Sequence, residues 1–151
     1  MCRKDSLAKG VSPEEAMREF RIVVAAHGDL AGALLSTAEL ICGRLDDVRA
    51  VGLLPTDSPE SYSERFMEAA GDPADQLLIL ADLVGGTPHN VALVATRRLP
   101  RAVLISGVNL AILIEAAMST GALDGESVER LVVSGREALI NASQLLAARQ
   151  S

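Results

Sequence analysis

Two histidines occur in the 151-residue chain, and one of them stands where chemistry is simplest to arrange. His27 closes the apolar run Ile22-Val23-Val24-Ala25-Ala26 and is followed at once by Gly28 and Asp29. Further on, Asp82 closes a second apolar run and opens the stretch Asp82-Leu83-Val84-Gly85-Gly86-Thr87-Pro88-His89-Asn90. A carboxylate that accepts from one ring nitrogen fixes the tautomer of an imidazole and leaves the other nitrogen free as a nucleophile. The Gly85-Gly86-Thr87-Pro88 turn offers backbone amides and a hydroxyl to a dianionic phosphoryl group. Glycines at 28, 85 and 86 let the main chain approach such a group closely. Nucleophile, orienting acid and anion cradle are the parts of a phosphohistidine intermediate, because phosphoryl transfer is mainly positioning and charge stabilisation.

The candidate assignment is therefore His27 as phosphoryl acceptor, Asp82 as the acid that orients it, and Gly28, Gly85, Gly86 and Thr87 as phosphate-binding residues. Taken singly, each feature has a plainer reading. A histidine at a strand end can simply cap it, an aspartate before a glycine turn forms turns, and Gly-Gly-Thr-Pro can be a tight connection. What points to chemistry is their conjunction at one edge. His89, inside a helix, reads as a packing or surface residue. No set of side chains has metal-ligand spacing, and no cofactor is expected.

That conjunction depends on the elements that carry the residues. The first apolar run, ending at His27, reads as a strand buried on both faces, and Leu30, Leu34, Leu35, Ala38 and Ile41 follow at helical spacing. Residues 48–54 read as a second strand closed by Pro55. Ser58-Pro59-Glu60-Ser61 then starts a helix over about 60–70, ending at Gly71-Asp72-Pro73. Residues 76–81 make a third strand, and Thr87 as N-cap with Pro88 at the first helical position predicts a helix over 88–98. A fourth strand is expected at 102–106 and a helix at about 109–119. Residues 126–133 could be strand or helical turn, and 135–148 read as a terminal amphipathic helix. Strands alternating with helices of this length imply an α/β fold, an open and mostly parallel sheet with helices on both faces. In such sheets ligands sit beyond the carboxyl ends of the strands, where His27 and Asp82 both fall. Residues 1–20 read as an N-terminal extension of unknown role, with Ser12 capping a short helix that has Pro13 first and Glu15 third; residues 21–151 read as a single domain.

Composition narrows the partners. A net charge of −6 argues against nucleic acid, which calls for a basic face. Aromatics are only 2% of a chain that is 49% hydrophobic, so the core must be built from Leu, Val, Ile and Ala. Cys2 and Cys42 form neither a disulfide framework nor a metal site, which fits a reducing cytosol. No secretory signal is visible in the charged first twenty residues, and the apolar stretch 102–118 is interrupted by Ser106, Gly107, Asn109 and Glu115. A cytoplasmic protein without membrane insertion is expected.

Three strings together resemble a known family: Val24-Ala25-Ala26-His27-Gly28-Asp29-Leu30-Ala31, Ala81-Asp82-Leu83-Val84-Gly85-Gly86-Thr87-Pro88-His89-Asn90-Val91-Ala92, and Ile105-Ser106-Gly107-Val108-Asn109-Leu110. Their order and spacing resemble the enzyme IIA component of the mannose family of the bacterial phosphoenolpyruvate:sugar phosphotransferase system. The resemblance implies that His27 accepts a phosphoryl group from the phosphocarrier HPr and passes it to a histidine of an enzyme IIB, which phosphorylates a sugar entering through the IIC/IID permease. It implies that Asp82 bonds the active histidine and that Thr87 lies near the phosphoryl group. It also implies a homodimer whose sheet edge is completed by a strand exchanged between subunits, with residues 126–133 as the candidate strand, and peripheral membrane association only through partners. The chain departs from the family in carrying Ala26 where Ser or Thr often precedes the histidine, and His89 where an aromatic commonly follows the proline. The rival readings are a regulatory phosphoprotein of the same fold and an unrelated α/β phosphatase. The phosphatase would need an arginine cluster around the phosphate.

Overall fold

The computed structural model describes residues 17–150; the expected Ser12 cap lies outside them. The chain alternates β1 (Phe20–His27), α1 (Leu30–Cys42), β2 (Val48–Leu53), α2 (Pro59–Ala70), β3 (Gln76–Ala81), α3 (Thr87–Ala95), β4 (Ala102–Ser106) and α4 (Leu110–Ala117), and ends with α5 (Gly125–Glu137) and α6 (Ala142–Arg149). The strands form one all-parallel sheet in the order β2-β1-β3-β4. Parallel strands need crossover helices, and these cover both faces, so the strands can be apolar throughout.

Alternation along each central strand divides the interior into two layers. Ile22, Val24, Ala26, Leu78 and Leu80 face a core completed by Ala31 and Ala38 of α1, Ile112 and Leu113 of α4, and Leu131 of α5. Val23, Ala25, Leu77 and Ile79 face the other, completed by Tyr62 and Phe66 of α2 and Ala92 and Ala95 of α3. With so few aromatics, Tyr62 and Phe66 are the largest fully buried side chains. Ser58 starts α2 with a reciprocal capping box: its hydroxyl accepts from the Ser61 N–H while the Ser61 hydroxyl accepts from the Ser58 N–H.

The C-terminal region departs from expectation. Residues 126–133 lie within α5, so they supply no exchanged strand. Asp124 caps this helix, accepting from the Ser127 N–H at 2.8 Å, and Val128 and Leu131 then fall on one helical face against α4. Gly135 does not start a helix but sits inside one, where a Cβ would lie 3.3 Å from the Cβ of Ile112. The expected helix over 135–148 is therefore two pieces, because α5 ends at Glu137 and Asn141 caps a new start by accepting from the Gln144 N–H. Among the described residues, no helix is long and apolar enough to cross a membrane.

Candidate functional site

Register brings the two key residues together. Ala25 pairs with Ala81 across β1 and β3, so His27 and Asp82 leave adjacent strands at the same edge. The Asp82 N–H donates to the Ala25 carbonyl at 3.2 Å, continuing the ladder one step past the strand. Its carboxylate then turns back. Oδ2 accepts from the His27 backbone N–H at 2.9 Å and lies 2.8 Å from His27 Nδ1, while Oδ1 accepts from the Leu83 N–H at 2.8 Å. Among the described residues, Asp82 has no ion-pair partner other than His27; the arginines at 18, 21, 44, 65 and 130 pair with other carboxylates.

The Asp82 side chain is 11% exposed. Burial is the largest single influence and opposes ionisation, but the hydrogen bonds from the His27 N–H, the His27 ring and the Leu83 N–H together outweigh it and hold the carboxyl below its ordinary value. An ionised carboxylate can only accept, so Nδ1 carries the proton, and in the neutral ring Nε2 holds the lone pair. The ring is itself 46% exposed, open to a reacting partner.

The free edge of the ring faces the glycine turn. A Cβ on Gly86 would lie 2.7 Å from His27 Cε1 and 3.3 Å from Nε2, so the start of α3 stands against the Nε2 side of the imidazole and a larger residue there would have to displace the ring. Gly86 is the N-cap of α3 and donates to the Leu83 carbonyl at 3.1 Å. Gly85 turns the chain at φ +81°, and its carbonyl accepts from Asn90 Nδ2 at 3.0 Å. Thr87 differs from expectation: it is the first helical residue rather than the cap, and no side-chain cap bond is made. Its side chain lines a groove of about 550 Å³ between α2 and α3, with Pro59, Glu60, Ser63, Asn90, Val91 and Val94. The amides at such a helix start lack acceptors within the helix; here Gly86 N–H is served by Leu83 and Pro88 has none to offer, which leaves those of Thr87 and His89.

Gly28 completes the turn after His27 with φ +55°, donating to the Leu53 carbonyl at 2.8 Å. This approach depends on Gly52 of β2, which sequence reasoning missed. A Cβ there would lie 2.2 Å from the Gly28 carbonyl oxygen. A glycine inside a strand pattern is the signal that would have found it. Arg65 Nη2 donates to the Gly52 carbonyl at 2.9 Å and also pairs with Asp57, so this guanidinium holds the strand rather than the imidazole. The second histidine is not idle either: His89 Nδ1 hydrogen-bonds with Ser106 Oγ at the end of β4. Among the described residues, no group of three or more His, Cys, Asp or Glu side chains could hold a metal ion.

Comparison with known proteins gives a consistent result. The family model EIIA-man, described as PTS system fructose IIA component, matches residues 21–132. The PTS system mannose-specific EIIAB component of Escherichia coli (strain K12) is 32% identical over 122 residues, covering 77% of this chain and 37% of that protein. The chain thus spans little more than a third of that relative. The PTS system fructose-specific EIIA component of Bacillus subtilis (strain 168) is 30% identical over 96 residues, 62% of this chain and 66% of that one. Among solved structures, the phosphotransferase system component EIIA from Streptococcus agalactiae superposes with a TM-score of 0.77 at 28% identity, covering 83% of this chain and 98% of that one. The mannose/sorbose specific IIA subunit from Enterococcus faecalis gives 0.73 at 32% identity, covering 83% and 95%.

Proposed function

The chain belongs to the EIIA-man family of sugar phosphotransferase components, and from that premise we propose that it carries a phosphoryl group on His27, taken from phospho-HPr and delivered to a histidine of an enzyme IIB. The observation that carries this reading is the 2.8 Å contact between His27 Nδ1 and Asp82 Oδ2, with the start of α3 against the opposite edge of the ring. Nε2 attacks the phosphorus; the bond from phosphorus to the donor's nitrogen breaks as the bond to Nε2 forms. The donor's imidazole leaves with the electron pair. Positive charge that develops on the His27 ring is met by the Asp82 carboxylate through Nδ1–H, and the phosphoryl oxygens meet the turn formed by Gly85, Gly86 and Thr87, where the Thr87 amide opens the helix and the Gly86 N–H stays on Leu83, with Gly28 flanking. The same geometry run in reverse hands the group to the IIB histidine. No proton has to move at Nε2 in either direction.

On this reading, residues 21–151 form one EIIA domain preceded by a short extension, the protein works in the cytoplasm, and it meets the IIC/IID permease only through its partners. A homodimer is part of the same proposal, supported by the unburied apolar side chains of the C-terminal region. The test is transfer of labelled phosphate from enzyme I and HPr. His27→Ala is expected to take up no label, while the unaltered protein carries an acid-labile, base-stable phosphate and loses it to a cognate IIB. Label at an acid-labile site in His27→Ala would overturn the assignment.

A further inference from the structure

The hydrogen bond between His89 and Ser106 has no part in the transfer as described, yet it sits at the junction on which that transfer depends. His89 lies in the first turn of α3, and Ser106 is the last residue of β4; their side chains meet through Nδ1 and Oγ, partly buried. Ser106 pairs in register with Ala81, and the next two residues, Gly107 and Val108, both donate to the Ala81 carbonyl at 2.9 Å. Asp82 follows directly. The paired ends of β3 and β4 thus hold the His27 ring through Asp82 and reach the first turn of α3 through Ser106 and His89.

The other polar ties of the glycine turn are local. Gly86 N–H bonds Leu83, and Asn90 bonds Gly85 and Gly86, all within the same segment. They shape the turn without fixing where it stands over the sheet. Pro88 is buried, but apolar packing is non-directional. The bond from His89 to Ser106 is directional and crosses between elements. Accuracy matters at this point because Gly86 already stands against the ring: a Cβ there would be 2.7 Å from Cε1.

We propose that His89 and Ser106 are positioning residues for the phosphoryl site, clamping the first turn of α3 to the end of β4 so that the helix start, with the Thr87 amide, stays beside His27 Nε2. The proposal rests on the reading of His27 as phosphoryl acceptor. Donors fixed in advance stabilise developing charge without reorganising, so a loosened clamp lowers the rate of the chemical step more than the affinity for the donor.

The experiment uses the full chain with Ser106→Ala, His89→Phe, the double variant and Ser106→Thr, which restores a hydroxyl. Phosphoryl uptake from phospho-HPr is followed as kcat and KM, and the Gly86 and Thr87 amide resonances are followed in the unphosphorylated protein. Ser106→Ala is expected to lose about tenfold in kcat with KM within about twofold, the double variant to be no worse than the poorer single, and Ser106→Thr to recover most of the loss. Both amide resonances should shift in the two single variants and return in Ser106→Thr. Unchanged kcat with unmoved amides, or two single effects that simply multiply, would overturn the clamp. If the unaltered protein takes no label at His27, it is the acceptor reading that fails, and the amide resonances still decide whether the clamp exists.

Discussion

Asp82 performs two tasks with one carboxylate, and they can be separated by pH. Oδ2 serves both the backbone and the ring of His27, and Oδ1 serves the Leu83 N–H, so the ionised form has three donors and the protonated form must give some of them up. Its pKa is accordingly lowered from the ordinary 3.8. A carboxyl with a depressed folded-state pKa contributes stability that is fully present above the unfolded value and is lost as pH falls through the folded one. Asp82→Asn removes that linkage. We expect the stability gap between the unaltered protein and Asp82→Asn to be widest at neutral pH and to narrow once pH drops below 3.8, measured as denaturant midpoints across the acid range. At neutral pH the same variant should accept phosphate about ten- to a hundredfold more slowly, the loss of a hydrogen bond to a charged acceptor. A gap that is constant with pH would mean that the carboxylate is not held in the ionised state by these bonds. This residue was legible before the fold was known because it closes an apolar run. Gly52 was not, because its reason for being glycine is the Gly28 carbonyl in the turn that follows the neighbouring strand.

At the level of elements, β2 serves the site by being thin at one point. Gly52→Ala would put a methyl 2.2 Å from a backbone oxygen of the turn after His27, and neither group is a flexible side-chain tip that can swing away. The turn must shift. We expect a stability loss of about 1–3 kcal/mol by denaturant titration, together with slower phosphoryl uptake. Gly32→Ala makes the control, since a Cβ there meets nothing within 4 Å and α1 gains a better helix former. It should be neutral or stabilising by up to about 1 kcal/mol, with uptake unchanged. The same contrast explains which elements the sequence disclosed. Continuous apolar runs bounded by charge or turns located β3 and β4 at 76–81 and 102–106, as found. The looser pattern of residues 126–133 left strand and helical turn both open, and the capping box at Asp124 with the spacing of Val128 and Leu131 made the helix. Thr87 had the chemistry of a cap, but Gly86 takes that place, where a side chain would push on the imidazole.

Over the whole molecule, both faces of the sheet are covered by helices, yet the far C-terminus contributes to neither core. No residue of α6 is buried, and Leu139, Ile140, Leu145 and Leu146 are 89%, 61%, 48% and 58% exposed. A helix of eight residues is marginal by itself in water even with a good cap, because its nucleation is costly and its stability has to come from packing. The strand β4, whose five residues are all only half-buried, is also an open edge of the sheet. A second copy of the chain, offering the same two features, is the occupant that would cover both at once under two-fold symmetry. We therefore expect light scattering to report a dimer at micromolar concentration. Leu139→Asp combined with Leu145→Asp should raise the dimer dissociation constant at least about a hundredfold, each leucine being worth roughly 1.5–3 kcal/mol when fully buried. His27 lies outside the altered segment, so label uptake at saturating phospho-HPr separates loss of assembly from loss of fold. A monomer in the unaltered protein, or a dimer of unchanged affinity in the double variant, would place α6 outside any interface between copies.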